Sequence, residues 1–298
     1  MGNQYHIAIL HYKTIEKTVE CVNSIIENVR AYHILIIDNH SNDGTVEKLQ
    51  EIYSENSDVE FLLLNENLGF AKANNCALNL YKKRNVKYAI LANNDIVFKK
   101  NAIEKMITDL SASSNLLLVA PRIEDPSGNI QNSVQVNGKS AFTFFLYSLF
   151  PGLEKGTIAS SLNNKTIIKQ FSGSCFACNI CKMNEIGNFD ENTFLYYEEA
   201  IISAKARKNN LSMIYEPNAT VIHYHGATTK SINYMIHFYM MESEAYYLTK
   251  YLRVNMTALL TYLRIKSKIH YLKYHSGELY QKEKEIIKRT KELADEKH

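Results

Sequence analysis

The sequence predicts an α/β protein built around a mostly parallel sheet flanked by helices. Apolar segments at residues 7–10, 33–37 and 88–92 each end in polar side chains, and the first two are followed by helical patterns. Repeated units of strand, polar tip and helix are typical of a parallel sheet. Because ligands of such sheets bind beyond the carboxyl ends of the strands, the polar tips are the candidate functional residues.

The composition is that of an ordinary globular protein. The chain has 298 residues, of which 46% are hydrophobic and 22% charged, enough for one large core or two smaller ones. A net charge of +3, without basic blocks interleaved with aromatic residues, argues against nucleic acid as a partner.

The amino terminus lacks the apolar core of a signal peptide, and the longest apolar run, residues 141–150, is about half of the ~20 residues that span a bilayer. We therefore expect a cytoplasmic protein, with the inner face of the membrane as an alternative location.

The five cysteines are an odd number, and without an export signal we do not expect a disulfide framework. Cys175, Cys178 and Cys181 have a spacing that suggests a metal cluster, but no fourth ligand follows at a usual distance. In an extended segment, residues three apart point to opposite faces, which disfavours a shared metal.

The chain divides into two regions. Residues 1–230 carry the strand and helix pattern, with a loop-rich excursion at 121–170 and a short apolar strand at 219–222. Residues 231–298 read as long helices rich in Tyr, Met and Lys. This helical region either packs or forms a homodimer, or it presents a basic, tyrosine-bearing surface to a membrane.

Four groups of polar residues stand at strand tips or near them. They are Asp38 and Asn39, the run from Asn93 to Asp95, Glu198 and Glu199, and His223 with His225. Carboxylates and imidazoles are suitable ligands for Mn²⁺ or Mg²⁺, particularly when a diphosphate completes the coordination. A sugar nucleotide carries such a diphosphate, and a separate carboxylate could take the proton of an attacking hydroxyl.

Six motifs in this order make the chain resemble family-2 glycosyltransferases of the GT-A fold, in particular the rhamnosyltransferase-like branch. The resemblance spans residues 5 to about 230, and the motifs are IIDNHSNDGT (36–45), NENLGFAKANN (65–75), LANNDIVF (91–98), SGSCF (172–176), FDENTFLYYEE (189–199) and PNATVIHYHG (217–226). The resemblance implies inverting transfer of a sugar from a UDP- or dTDP-sugar to a hydroxyl of a glycan acceptor. It also implies bacterial surface polysaccharide synthesis, with a lipid-linked glycan as one form of the acceptor.

The resemblance also implies roles for individual residues. Glu199 corresponds to the catalytic base, with Glu198 beside it, and Asp95, His223 and His225 correspond to the ligands of Mn²⁺ or Mg²⁺. The residues expected around the nucleotide are His11, Tyr12, Asp38, Asn39, Asn67, Gly69, Lys72, Asn74, Asn93 and Asn94.

Two departures from the family pattern keep a second hypothesis open. The family usually has Glu-Asp-x-Asp, whereas this chain has Glu198-Glu199-Ala200-Ile201, and Lys205 replaces the following arginine. The alternative is a catalytically impaired GT-A-like protein that supports another transferase. Nucleotidyl transfer is disfavoured, because residues 11–14 contain no glycine for a phosphate loop.

Several candidate residues also have purely structural interpretations. Asp38 and Asp43 could serve a turn or a helix N-cap, and Asp95 could cap a helix near Asn101. Glu198 and Glu199 could be solvated acids at a helix start. The functional interpretation requires that Asp95 and His223 lie next to each other.

Overall fold

The structure is a computed structural model that describes residues 4–137, 161–224 and 235–295. His225 and the predicted boundary between residues 230 and 231 lie outside the described residues. The same is true of the apolar run at 141–150.

The described part of the chain forms a nine-stranded sheet and nine helices. The strands are β1 (Tyr5–His11), β2 (Tyr32–Asp38), β3 (Val59–Leu63), β4 (Tyr88–Asn93), β5 (Ile96–Phe98), β6 (Leu116–Glu124), β7 (Thr166–Ile167), β8 (Cys175–Asn179) and β9 (Ser212–His223). The helices are α1 (Ile15–Asn28), α2 (Thr45–Ile52), α3 (Gly69–Lys83), α4 (Ala102–Ser111), α5 (Ile180–Glu185), α6 (Glu198–Lys208), α7 (Met235–Lys250), α8 (Met256–Tyr274) and α9 (Gly277–Asp295).

The sheet is mostly parallel, as predicted. Its strand order is β3-β2-β1-β4-β8-β6-β9-β5, and β7 pairs with β9 outside this path. Strands β1 to β4 run parallel to one another, and β8 runs antiparallel to both of its neighbours. Since β9 is parallel to β6, its carboxyl end reaches the same edge of the sheet as the ends of β1, β2 and β4.

Helices cover both faces of the sheet, because the buried strands are apolar on both sides. On one face, α1 and α4 pack through Val22, Ile25 and Met106. On the other face, α3 and α6 pack through Leu78 and Ile202.

Two predictions about individual segments are tested by the strands themselves. Cys175 and Cys178 lie on β8 with their side chains in the cores on opposite faces of the sheet, as the alternation of an extended segment predicts. The strand predicted at residues 219–222 is longer, because β9 begins at Ser212 and continues through Pro217 at an irregularity in its pairing with β6.

The carboxyl-terminal helices pack on α6. Met241, Leu248 and Leu263 are fully buried against Ile201 of that helix. The helical region therefore shares a core with the α/β part of the chain.

The first turn of α3 closely approaches the backbone of the segment before α6. Gly69 has φ of +75°, and a Cβ built there would lie 2.3 Å from the carbonyl oxygen of Phe194. That same carbonyl accepts a hydrogen bond from the backbone N–H of Phe70 at 3.0 Å. Gly69 thus lets the segment before α6 rest directly on α3.

Gly69→Ala should therefore destabilise the protein more than the same change at Gly128. Gly128 has φ of +86° but no atom within 4 Å of the added Cβ, so it measures the backbone penalty alone. We expect a loss of about 1 kcal/mol at Gly128 and about 2–4 kcal/mol at Gly69. Denaturant unfolding of the two variants measures the difference, and equal losses would show that Phe194 moves away without cost.

Candidate functional site

Asp95 and His223 lie side by side. Asp95 follows β4, and the antiparallel pairing of β5 with β9 places Ile96 opposite His223. The Nε2 atom of His223 is 3.3 Å from Oδ1 of Asp95, and both residues are buried. Within the described residues, Oδ1 of Asp95 has no hydrogen-bond partner. Asp95 does not cap α4, which begins after Asn101 without a side-chain cap.

The preceding amides are held by the backbone and by α1. Asn94 is buried and its side-chain amide donates to Oγ1 of Thr14 at 2.8 Å and of Thr18 at 2.9 Å. The backbone N–H of Asn93 donates to the carbonyl of Ser174 at 2.8 Å. Residues 93–95 are therefore fixed from two sides.

His11, at the end of β1, connects the neighbouring helices to this edge of the sheet. It is fully buried, and its ring nitrogens lie 2.7 Å from Oγ1 of Thr18 and 3.0 Å from Oγ1 of Thr45. Burial lowers the pKa of His11, which favours the neutral ring, although Asp38 opposes the shift. His11 thus links β1 to α1 and α2 through hydrogen bonds.

Asp38 and Asp43 have different environments. Asp38 is buried at the end of β2, where its Oδ1 accepts from the hydroxyl of Ser41 at 2.6 Å. Asp43 is exposed and accepts from both the backbone N–H and the hydroxyl of Thr45, which is the turn role considered for it, whereas the N-cap of α2 is Gly44.

Asn39 joins β2 to the start of α3. Its amide donates to Oδ1 of Asn67 at 3.0 Å, and its own oxygen accepts from the backbone N–H of Leu68 at 2.9 Å. The same oxygen of Asn67 accepts from the backbone N–H of Gly69. This network fixes the loop before α3.

The remaining predicted nucleotide residues differ in exposure. Lys72 is exposed on α3, whereas Asn74 is buried and donates back to the carbonyl of Phe70. Tyr12 is half-buried, with the ammonium of Lys13 5.1 Å from its ring centre.

Glu198 and Glu199 open α6 after a strained turn. Tyr196 and Tyr197 both have left-handed backbone, with φ of 73° and 69°. Such a conformation costs about 1–3 kcal/mol for each non-glycine residue and persists only when its surroundings enforce it. Glu198 is buried, and Glu199 keeps partial exposure.

The carboxyl-terminal helices enforce this turn. The hydroxyl of Tyr197 donates to Glu244 of α7 at 3.0 Å, and Ser243 donates to the carbonyl of Leu195 at 2.9 Å. Glu244 is fully buried, and its carboxylate also accepts hydrogen bonds from Tyr262 at 2.6 Å and Lys266 at 2.5 Å, both on α8.

A second cluster, around Asp190, connects the chain before the Tyr196–Tyr197 turn to the end of α7. Asp190 accepts hydrogen bonds from Tyr246, Tyr251 and Lys250. These bonds, with that of Asn192, hold the pKa of Asp190 far below its usual range despite partial burial.

Burial raises the pKa of both glutamates at the start of α6. The pKa of Glu198 rises to about 8, with the neighbouring Glu199 as the second cause. The pKa of Glu199 is also raised, although the backbone N–H groups of Glu199 and Gly173 oppose the shift. Both carboxyl groups therefore hold a proton more readily than a solvated glutamate does.

The site groups are connected through the turn at residues 173–174, directly before β8. The backbone N–H of Gly173 donates to Oε1 of Glu199 at 3.4 Å, and the next residue, Ser174, accepts from Asn93. Glu199 is thus linked by neighbouring residues to Asn93 and the Asp95–His223 pair. The structure brings these groups to one edge of the sheet.

The two departures from the family pattern have structural explanations. Ile201 is fully buried in the core shared with α7 and α8, where an ionised aspartate would be costly. Lys205 donates to the carbonyls of Gly187 and Asn188 at 3.1 and 2.7 Å, so it serves the loop before Phe189.

Sequence reasoning missed the supporting residues. Thr14 and Thr18, which hold Asn94, stand one helical turn apart, and Thr18 is a polar residue on the buried face of α1. That spacing is a usable signal. Nothing local indicated that Glu244 would support Tyr197.

Two negative findings apply to the part of the chain that the structure describes. No group of three or more His, Cys, Asp or Glu side chains is placed to hold a metal by itself. None of the helices there combines the length and apolar character needed to cross a bilayer.

Comparisons with known sequences identify a glycosyltransferase family. A model described as glycosyl transferase family 2 matches residues 7–174, more than half of the chain. The low-salt glycan biosynthesis hexosyltransferase Agl10 of Haloferax volcanii is 24% identical over 215 residues, covering 72% of this chain and 64% of that protein. The N-acetylglucosaminyl-diphospho-decaprenol L-rhamnosyltransferase of Mycobacterium tuberculosis is 22% identical, covering 67% of this chain and 69% of that protein. The chain thus spans just under two thirds of the length of Agl10.

Solved structures show the same fold at low identity. GalNAc-T7 with UDP, GalNAc and Mn²⁺ matches with a TM-score of 0.60 at 17% identity, covering 76% of this chain and 44% of that chain. The mannosyltransferase PcManGT of Pyrobaculum calidifontis with GDP-Man and Mn²⁺ matches with a TM-score of 0.56 at 13% identity. The match covers 85% of this chain and 66% of that chain. TarS of S. aureus matches with a TM-score of 0.54 at 12% identity, covering 90% of this chain and 44% of that chain. The predicted GT-A fold is confirmed.

Glu198→Gln should remove a pH-dependent destabilisation. Because the folded pKa of Glu198 lies above its unfolded value, the wild-type protein loses stability as pH rises from the ordinary glutamate range through about 8. The stability advantage of the variant over wild type should therefore grow from pH 5 to pH 9, by an amount on the order of 1–3 kcal/mol.

Denaturant unfolding at both pH values measures this change. The matched control is Glu51→Gln at an exposed position of α2. A constant difference between Glu198→Gln and wild type at the two pH values would contradict the raised pKa of Glu198.

Proposed function

Because the chain belongs to glycosyl transferase family 2, we propose that it transfers a sugar from a nucleotide diphosphate donor to a hydroxyl of a glycan acceptor, with inversion. The observation that carries the proposal is the linkage of Glu199, through Gly173 and Ser174, to the edge that holds Asp95 and His223. We therefore propose that Glu199, as the base, and Asp95 with His223, as metal ligands, belong to one site.

In the proposed reaction, the acceptor hydroxyl attacks the anomeric carbon directly. Glu199 takes the hydroxyl proton as the new C–O bond forms, and the bond from the anomeric carbon to the donor phosphate breaks. The nucleotide diphosphate leaves with the electron pair of that bond. Glu199 is the better candidate for the base because it keeps partial exposure, whereas Glu198 is buried.

The donor would lie along the ends of β1, β2 and β4. Asp38, Asn39, Asn67 and Asn93 are the polar groups fixed there, and Lys72 is exposed nearby along α3. His11, Gly69, Asn74 and Asn94 are held by internal contacts, and we assign them the support of this pocket. Tyr12 is half-buried at the end of β1, where an aromatic ring can pack against the base.

The residues present fit a divalent cation such as Mn²⁺ or Mg²⁺. Asp95 offers a buried carboxylate oxygen without a hydrogen-bond partner among the described residues, and the imidazole of His223 lies beside it. Because the described residues bring only two such side chains together, the diphosphate of the donor would have to complete the coordination. When bound, the cation would neutralise charge on the leaving diphosphate. His225 belongs to the proposed ligand set by its sequence position.

The proposed substrates follow from the family and the relatives. We propose a UDP- or dTDP-sugar as donor and a surface glycan as acceptor, since one similar protein is named for rhamnosyl transfer to a diphospho-decaprenol-linked sugar. The competing proposal is a binding protein with impaired catalysis, which the altered run from Glu198 to Ile201 favours.

Glu199→Gln should abolish transfer while leaving donor binding intact. Loss of a general base typically lowers the rate by about 10²–10⁴, whereas the donor contacts lie on other residues. Transfer and release of free nucleotide diphosphate are measured for the variant, wild type and the control Glu51→Gln. Unchanged turnover of Glu199→Gln would remove Glu199 from this role, and wild type that binds donor but never releases nucleotide diphosphate would favour the binding-protein proposal.

Asp95→Asn should remove the contribution of the cation to donor binding. A ligand that binds the native state raises the melting temperature, so the readout is the extra shift that Mn²⁺ adds to that of the donor. Wild type and the control Asp58→Asn, which lies before β3 at the opposite end of that strand, should keep the extra shift. An Mn²⁺-dependent shift of equal size in Asp95→Asn would exclude Asp95 as a ligand.

A further inference from the structure

Helix α8 presents an apolar ridge to the outside of the molecule. Ile265, Ile269 and Leu272 are 44%, 37% and 69% exposed, and their spacing of four and three residues aligns them on one face. The opposite face of α8 is buried through Leu259 and Leu263. The ridge is therefore additional to the core that anchors the helix.

The exposed charges that α8 itself carries beside this ridge have one sign. Arg264, Lys268 and Lys273 are exposed beside it, and α8 contains no Asp or Glu. None of the three cations forms an ion pair within the described residues. The neighbouring helix α9 differs, because its exposed acids pair with its own cations, as in Glu278 with Lys282 and Glu285 with Arg289.

Aromatic residues extend the ridge toward α9. Tyr271 and Tyr280 lie with ring centres 5.0 Å apart. With Lys268 and Leu272 they line a surface depression of about 450 Å³. Tyrosine is enriched where an apolar phase meets water, since its ring can be buried while its hydroxyl stays hydrated.

We propose that this α8 face, defined by Ile265, Ile269 and Leu272 with Arg264, Lys268 and Lys273, docks on an anionic lipid surface. An apolar ridge flanked by unpaired cations matches an interface in which side chains enter the acyl boundary and cations meet lipid phosphates. The charge favours a bilayer over a second copy of the chain, since two such faces would bring six cations together. The inference goes beyond the proposed function and does not depend on it.

Vesicle sedimentation of the full chain, without donor or acceptor, tests the proposal. Vesicles of phosphatidylcholine alone are compared with vesicles that also contain phosphatidylglycerol. At about 1 kcal/mol for each cation, three cations predict binding about a hundredfold tighter to the anionic vesicles, weakening as salt is added.

Substitutions separate the apolar and charged parts. The double variant Ile265→Glu with Ile269→Glu should lose at least about tenfold in binding, because it places carboxylates in the acyl boundary. The matched control is Ile52→Glu with Ile167→Glu, which changes two isoleucines that are 53% and 60% exposed elsewhere. Changing Arg264, Lys268 and Lys273 to Gln should abolish the preference for anionic vesicles.

Three outcomes would overturn the proposal. They are equal binding to the two vesicle types, equal binding of the ridge variant and its control, and a dimer in light scattering that the ridge variant abolishes while vesicles stay unbound. Circular dichroism of each variant confirms that the fold is retained. Transferase activity is not part of the readout, so failure here leaves the proposed function untouched.

Discussion

The left-handed turn at Tyr196 and Tyr197 is the constraint on which the site depends. Two consecutive tyrosines in this conformation are unfavourable by a few kcal/mol together, and the chain has no local reason to adopt it. Packing from α7 and α8 holds it in place through Glu244 and Ser243. Because Glu198 and Glu199 follow directly, the orientation of both carboxylates is set by helices that come later in the sequence.

This dependence changes the interpretation of the helical region. A buried pair such as Glu244 and Lys266 adds little net stability, because desolvation offsets the attraction between the charges. Its geometry is nevertheless restrictive, since Glu244 must also accept Tyr197 and Tyr262. The buried cluster of Glu244 with Tyr197, Tyr262 and Lys266 therefore fixes the position of α6. It acts in addition to the apolar core that the helices share with Ile201.

The sequence was sufficient to predict the fold and the polar residues at the end of each strand. It was insufficient to predict contacts between residues that are far apart in the chain. The parallel sheet and the placement of Asp38 at the end of β2 follow from periodic apolar segments. Both Asp95 and His223 were recognised as polar residues at strand tips, but which two tips meet depends on β9 returning beside β5, which no local pattern indicates. The strained tyrosines had no sequence signal, since left-handed backbone is usually a glycine or asparagine feature.

The altered acidic motif is best understood through the packing of α6. Ile201 lies on the side of α6 that meets the helical region, so an apolar residue there extends the core that holds the turn. Glu199 lies on the side that meets Gly173, where an added Cβ would approach its carboxylate to 3.4 Å. A glutamate reaches one methylene further than the aspartate of the family, and a glycine opposite it leaves room for that length. The substitutions of an acid by Ile201 and of an aspartate by Glu199 therefore fit one arrangement, in which α6 is anchored by packing and a single glutamate faces the proposed acceptor.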